Sequence, residues 1–567
     1  MKYLNSKVSI VGIFFAATAL LVFYLLSIRW HVYLSVSLFW VAVALMLGTT
    51  VYQILRIELS SSYVKIVLLE IAITCLVFHL IYQIPYSGLR GSDAYGDMAS
   101  VKGILSSGFV MGAPQYITEY SYFPMIHIFG AMLSLITGID LFSVVKWFPS
   151  FLDVALIPLL YLLVRSIFKE EKIALLSALL FASLQNHILL SSLFIRQTYA
   201  LVLAVCCIYL YLSAKHSPHP ATNYALSIMC LIGTVFAHHL TSFMLLIFLL
   251  IHLLVTKASK VPFLRRVYFG KTITGEKVTI TFSLIAFVAL FAYWMYVATL
   301  PLYTLSSLVW ELFTPGKWGT STYAEMAGIS AASIHTIRGY ITFYGFYFFL
   351  FTFGLILLHG LLTRAKNRRV ETYSFTLFLF LCGLVGFLSL YVIAPAAYPD
   401  RFLTFGWLFG FVPLVVAMLK GRYKWRQRVC VFLLVAFMLF NIYMIEPINY
   451  NPREEGVPLV TSKENYALAN TFNFSSGKIF GPQTPLMAIY DVHNNLGTIF
   501  TLSEVNLTKF DWIIINKKEL YLEKKYFPGA ETIAALERLA TEGSADFNKI
   551  YESDSLLVFQ KNTMNLK

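Results

Sequence analysis

The chain has 567 residues, of which 58% are apolar and only 13% charged, and its mean hydropathy is +0.71. That charged share is about half the usual one for a soluble chain, and many apolar runs exceed the roughly 18 residues that mark a bilayer-spanning helix. These numbers exclude a cytosolic enzyme, a nucleic-acid-binding domain and a disulfide-built secreted module, and they define a polytopic membrane protein. The net charge of +14 does not point to nucleic acid either, because from 446 onward 15 acidic residues outnumber 12 basic ones and the whole excess belongs to the hydrophobic part.

The amino terminus has a basic start and an apolar run at 8–28 that is long enough to cross, with no small-residue cleavage site. It reads as a retained signal anchor. Twelve further runs read as spans: 33–55, 63–84, 143–167, 172–190, 193–213, 222–237, 240–256, 278–299, 336–362, 372–396, 402–419 and 428–445. The run 124–138 makes only about 22 Å of helix against a hydrocarbon core of about 30 Å.

Basic residues orient the spans. Loop 257–277 holds six Lys or Arg, loop 363–371 four and loop 420–428 five, whereas loops 300–335 and 397–401 hold one each, Lys317 and Arg401. The basic loops are cytoplasmic by the positive-inside rule, which puts the chain after 445 outside. Counting back, loop 85–142 is external and the amino terminus internal only if 124–138 does not cross. The expectation is therefore 13 spans, N-in and C-out, with 124–138 as an interfacial helix. Two domains follow: a membrane domain over 1–445 and an extracytoplasmic α/β domain over 446–567. The latter shows strand-like runs at 478–480, 511–515 and 555–560 and a helical pattern near 529–541. The six cysteines all fall inside apolar runs and read as small packing residues, with no metal-ligand spacing among them.

The stretch Gly91-Ser92-Asp93-Ala94-Tyr95-Gly96-Asp97-Met98 follows the third span on the external side. Asp93 and Asp97 stand at i and i+4, so a helix points both carboxylates the same way. The alternative is that two acids at a helix start merely complement its dipole. A Gly-punctuated amphipathic stretch, Tyr122-Phe123-Pro124 and the short helix follow.

This order of parts resembles the GT-C superfamily of membrane glycosyltransferases, whose layout the protein O-mannosyltransferases and lipid A aminoarabinose transferases share. The parts read GSDAYGDM, YFPMIHIFGAMLSLITG, LFSVVKWFPSFLDVALIPLLYLLVRSIF, KEEK and ALLSALLFASLQ, and the resemblance covers roughly 63–260. Two features depart from it: the acidic pair is spaced D-x-x-x-D where the family's is usually tighter, and two extra spans precede the one leading into the loop. The resemblance implies a sugar donor linked to polyprenyl phosphate and an external acceptor that is a protein, lipid or glycan. In such chemistry a carboxylate takes the acceptor's proton while cations or a metal stabilise the departing phosphate. Asp93 is the candidate base. Asp97 is expected to hold the acceptor or, with Asp93, a divalent cation such as Mg or Mn.

Phosphate partners belong at external span ends. Arg401, in Tyr398-Pro399-Asp400-Arg401-Phe402, sits at the start of a span, where helix N–H groups also favour anions. Its plainer reading is a snorkelling Arg beside Asp400. Arg196 is a second external-end cation, Arg90 and Lys102 are weaker ones, and Tyr122 opens the juxtamembrane segment. His238 and His239 form the turn between two short spans, with Thr241 expected to cap the second, and a plain hairpin with polar turn residues is the alternative. Two acids, Glu70 and Asp153, fall inside apolar spans; Asp153 is expected to pair with a cation such as Arg196. The reading reached is a multi-pass cell-membrane glycosyltransferase with its site on the extracytoplasmic face. A lipid-linked-glycan flippase or transporter, or a polymerase or ligase of such glycans, are the alternatives.

Overall fold

The structure, a computed structural model, describes most of residues 2–110, 122–258, 276–303 and 424–443, together with isolated positions and short segments elsewhere up to 561. The spans expected at 336–362, 372–396 and 402–419 lie almost wholly outside the described residues, as do Arg90 and Arg401. The chain divides into two compact units, one made of 1–82 and 97–445, the other of 83–96 and 446–567.

The first unit is an all-helical bundle. Helices α1 (Lys2–Arg29), α2 (Val36–Arg56) and α3 (Ser61–Leu80) form from apolar runs, and the Ser35 and Ser60 hydroxyls accept from backbone N–H groups at the starts of α2 and α3. After α4 (Ser92–Ser107) and α5 (Met125–Thr137) come α6 (Leu141–Val154), α7 (Leu156–Phe168), α8 (Glu171–Ala182), α9 (Gln185–Ser191), α10 (Arg196–Ser213), α11 (Pro220–Ala237), α12 (His239–Ala258), α13 (Glu276–Tyr296) and α14 (Lys424–Tyr443). Among the described residues seven helical stretches are long and apolar enough to cross a membrane, the longest being Leu141–Phe168. The protein is an integral membrane protein with an all-helical bundle. Helix α3 is central, packing against α1, α2, α6, α7, α8 and α9, and α10 plays the same part for α5, α6, α7, α9, α11 and α12.

Two spans differ from the simple sequence reading. The run 143–167 is one long span broken at Ala155 into α6 and α7, with Pro149 inside α6. The break follows from Pro158 in the first turn of α7, which has no N–H to give the Val154 carbonyl and whose ring crowds it. The run 172–190 is not a single helix. Helix α8 stops at Ala182 because Leu184 turns extended, and the Ser183 hydroxyl donates back to the Leu179 and Leu180 carbonyls, each at 3.0 Å. Such back-bonding competes with helix continuation, and the polar Gln185-Asn186-His187 then starts α9. Hydropathy alone registers neither break.

Helix α5 is too short to cross, about 20 Å. It is capped by Gly138 in the left-handed region (φ 68°). One side, with Ile126, His127, Gly130 and Ala131, is buried, while Leu135 and Ile136 on the other are 73% and 77% exposed. That two-sidedness suits a helix lying at an interface.

The second unit includes a mixed five-stranded sheet of order β2-β1-β3-β5-β4, made of β1 (Ile479–Gly481), β2 (Thr498–Ile499), β3 (Trp512–Asn516), β4 (Phe547–Glu552) and β5 (Leu556–Lys561). The β1–β2 and β1–β3 pairs are parallel; β3–β5 and β4–β5 are antiparallel. Alternation along β3 sends Ile514 to one face with Ile479, Leu556 and Val558, and Ile513 and Ile515 to the other. There they meet Leu536 and Leu539 of α15 (Glu531–Glu542). Strands β1, β3 and β5 and helix α15 fall on the sequence-read runs; β2 and β4, short or alternating without a strong apolar run, do not.

Candidate functional site

Helix α4 carries both acids of the external motif, yet they differ. Asp93, in its first turn, is exposed, whereas Asp97, one turn on among the buried Tyr95, Met98 and Val101, is 2% exposed. Helical spacing aligned the two carboxylates; packing separated them.

Asp97 meets two partners. His127 Nε2 of α5 lies 2.8 Å from Asp97 Oδ1, and Arg196 Nε, at the start of α10, lies 3.5 Å from the same oxygen. The first distance is a hydrogen bond; the second is an ion-pair approach too long for a good one. The other carboxylate oxygen, Oδ2, is buried and has no hydrogen-bond partner among the described residues. A buried carboxylate with a cation, an imidazole and one open acceptor atom is a chemically competent arrangement for handling a proton or a polar substrate group.

Gly130 explains how α5 comes so close. A Cβ there would lie 2.8 Å from Phe194 Cζ and 3.3 Å from Val101 Cγ2. Only glycine lets this face of α5 press against Phe194, two residues before Arg196, and against α4. His127 stands one turn earlier on the same face.

The His238–His239 turn lies close by through aromatic contacts. The His239 and Phe123 ring centroids are 5.4 Å apart, Phe123 also packs on Tyr293 of α13, and the Tyr293 hydroxyl donates to the Tyr122 carbonyl. His238 is buried, and its Nδ1 accepts from the Thr241 N–H at 3.3 Å and contacts the Thr241 hydroxyl at 2.9 Å. His238, not Thr241, therefore caps α12. Lys102 is half-buried further along α4.

The acids inside spans are also resolved. Glu70 accepts from Gln53 Nε2 at 2.6 Å, and Gln53 in turn accepts from the Tyr63 hydroxyl at 2.6 Å. Asp153 does not pair with Arg196, which is drawn to Asp97. It stands instead between His79 and His187, at 3.1 and 2.8 Å, with Cys75 alongside. Cys75 is thus part of a polar cluster and not a plain packing residue. A cavity of about 1320 Å³ opens beside the C-terminal half of α2 and the start of α8, lined by Arg56, Glu58, Glu171 and Lys172 among others. None of the candidate residues borders it.

Sequence reasoning missed His127, although a histidine sharing a helix face with Gly130 and Ala131 was a visible signal. It also missed the Cys75-x-x-x-His79 spacing on α3.

No protein-family model matches the chain, and no curated protein sequence matches it. Among solved structures, ArnT from Cupriavidus metallidurans in the apo state is similar at a TM-score of 0.50 with 9% identity, over 88% of this chain and 98% of that one. ArnT bound to undecaprenyl phosphate gives 0.49, 9%, 89% and 99%. The archaeal oligosaccharyltransferase AglB from Archaeoglobus fulgidus, in complex with an inhibitory peptide and a dolichol-phosphate, gives 0.49, 10%, 88% and 75%. ArnT and AglB are GT-C membrane glycosyltransferases. The likeness to apo ArnT, which spans nearly the whole of both chains, is one of fold.

Proposed function

We propose that this protein is a glycosyltransferase that moves a sugar from a polyprenyl-phosphate-linked donor to an acceptor on the extracytoplasmic face. The observation that carries the reading is the buried Asp97, bonded to His127, approached by Arg196 and with one oxygen that has no hydrogen-bond partner among the described residues, at the junction of three helices in a GT-C-like bundle. ArnT is also known bound to undecaprenyl phosphate, and that ligand class is carried over to this chain as part of the proposal.

In the reaction, the acceptor oxygen forms a bond to the anomeric carbon while the bond from that carbon to the phosphate oxygen breaks. The electron pair leaves with the phosphate. The acceptor's proton passes to a carboxylate, and a single displacement inverts the anomeric centre. Asp97 Oδ2 is the base in this scheme and His127 orients it, while Arg196, with a guanidinium able to grip phosphate in a fork, stabilises the leaving group. Asp93, exposed at the start of α4, is assigned to the acceptor side. Arg401, Arg90, Lys102 and the His238–His239 turn remain candidates for the donor headgroup, and Tyr122 for the acceptor path. A divalent cation shared by Asp93 and Asp97 is a less favoured version, because Asp97 already has a guanidinium beside it.

The test begins with native mass spectrometry of the full-length protein extracted from membranes. A co-purifying polyprenyl-phosphate lipid, lost in Arg196→Ala, is expected. The lipid then identifies the donor for a transfer assay. There Asp97→Asn should lower turnover by at least about 100-fold, and Asp93→Asn by clearly less. Near-normal turnover in Asp97→Asn with a strong loss in Asp93→Asn would return the base role to Asp93. Absence of any prenyl phosphate from the wild-type protein would overturn the proposal.

A further inference from the structure

We propose that Cys75, His79, Asp153 and His187 form a closed transition-metal site of the zinc class, buried where α3, α6 and α9 meet. The site is separate from Asp97 and does not depend on the function proposed above. It also differs in place and chemistry from a Mg or Mn pair at Asp93 and Asp97.

The local structure assembles the set. Cys75 and His79 are one helical turn apart on α3, so their side chains rise from one face. Asp153 comes from the last turn of α6, just before the break at Ala155. His187 comes from α9, which exists because α8 ends early. All four residues are fully buried, and their ligand atoms all lie within 4.8 Å of one another. Asp153 Oδ2 is 3.1 Å from His79 Nε2, 2.8 Å from His187 Nε2 and 3.8 Å from Cys75 Sγ. Tetrahedral zinc, with ligands at about 2.0–2.3 Å, holds them about 3.3–3.8 Å apart. The cluster needs only small side-chain adjustments to reach that spacing.

The hydrogens point to a cation. His79 Nδ1 lies 2.7 Å from the Cys75 carbonyl oxygen, which can only accept, so Nδ1 carries the hydrogen. His79 therefore turns Nε2 inward. His187 Nδ1 lies 3.2 Å from the Ser191 hydroxyl, which accepts from it when Nε2 turns inward as a ligand. Each Nε2 approaches Asp153 Oδ2 closely, yet neither is aligned for a hydrogen bond, and Asp153 Oδ1 has no hydrogen-bond partner among the described residues. The His79 Nε2 lone pair aimed at a carboxylate oxygen repels it, and a metal ion between them converts that repulsion into ligation. A second hydrogen bond from the outer ring nitrogen is the usual support of a metal-binding histidine.

The donor set selects the metal class. One thiolate, two imidazoles and a carboxylate suit zinc over magnesium or calcium, which prefer oxygen. Four protein ligands leave no open position, which marks a structural site. Binding displaces the thiol proton. The ion would tie the end of α3, which leads toward α4, to α9, which stands just ahead of Arg196. It would brace the elements that deliver Asp97 and Arg196.

The experiment measures metal in the full-length protein purified in detergent without chelator. One equivalent of zinc per chain is expected in the wild type. Cys75→Ser and His187→Gln should each lose it, and Ser191→Ala should weaken affinity about 10- to 100-fold. Tyr211→Phe, which removes a buried hydrogen bond to Thr279 elsewhere in the bundle, should keep the metal and so controls for damage to the fold. Cobalt added to chelator-stripped wild type should show tetrahedral d–d bands with a thiolate charge-transfer band, the latter lost in Cys75→Ser. Wild-type protein with only substoichiometric zinc and no cobalt spectrum would overturn the proposal in favour of a metal-free His–Asp–His ion cluster. Full retention of metal in both Cys75→Ser and His187→Gln would overturn it as well.

Discussion

His127 Nε2 and Asp97 Oδ1 lie 2.8 Å apart, both residues all but sealed from solvent, and they lock the short helix α5 to α4. Removing the imidazole leaves a buried carboxylate with one partner fewer. A hydrogen bond to a charged group is worth about 1.5–3 kcal/mol, so His127→Ala should destabilise the protein by about that amount in a denaturant or thermal series. Combined with Asp97→Asn, the loss should be clearly less than additive. Strict additivity would mean the two residues do not act as a pair.

Gly130 sets the approach of α5. Gly130→Val places atoms where Phe194 Cζ now sits, 2.8 Å from the ideal Cβ, and overpacking of this kind costs about 1–3 kcal/mol. Turnover should fall with it, because His127 moves with the helix. Phe194→Leu, which shortens the opposing side chain, should recover part of both losses. A Gly130→Val protein of unchanged stability would show that α5 is not held by this contact.

The proposed function requires the α4 site to face the outside. In a cysteine-accessibility series, a membrane-impermeant maleimide should label Ser107→Cys and Thr541→Cys from the extracytoplasmic side and Lys257→Cys only after permeabilisation. Labelling of Ser107→Cys from the cytoplasm would turn the acidic helix to the wrong compartment and remove the glycosyltransferase reading.

In the C-terminal sheet, Glu552 accepts from Lys549 Nζ at 2.6 Å and from Lys517 Nζ at 2.9 Å. The Lys549 bond and then the Lys517 bond and charges hold its carboxyl down from the ordinary 4.5 to about 2. Because the folded value is the lower one, the contribution is present above pH 4.5 and is lost as pH falls toward 2. Hydrogen exchange in β4 and β5 should therefore quicken over that window more in the wild type than in Glu552→Gln. The difference should shrink in high salt, since all three side chains are at the surface. Equal acid responses in the two proteins would show that the pair contributes nothing measurable there.

Much of this architecture was legible in the chain itself. Long apolar runs specify spans wherever they occur, since burying backbone polar groups in hydrocarbon leaves helix as the available answer. The runs at 8–28, 33–55, 193–213 and 222–237 accordingly correspond to α1, α2, α10 and α11. The alternating and apolar stretches beyond 446 likewise marked three of the strands and α15. Less visible were the ends at Ser183 and Ala155, where one hydroxyl and one proline decide the path against hydropathy.

The sequence by itself determined the class of protein, the external placement expected for the acidic motif, and the residue types available for chemistry. Only the tertiary structure decided which of them meet. Asp97 and Asp93 share a helix and a spacing, but packing buried one and left the other exposed. Asp153 and Arg196, matched on paper by charge, found other partners: Asp153 gathers Cys75 from 78 residues earlier, and Arg196 turns to Asp97, which also takes His127 from 30 residues later. Hydropathy and periodicity are properties of neighbours along the chain. The partner of a buried charge is set instead by which helix faces close on each other, and at Gly130 that closure depends on the absence of a single methyl group.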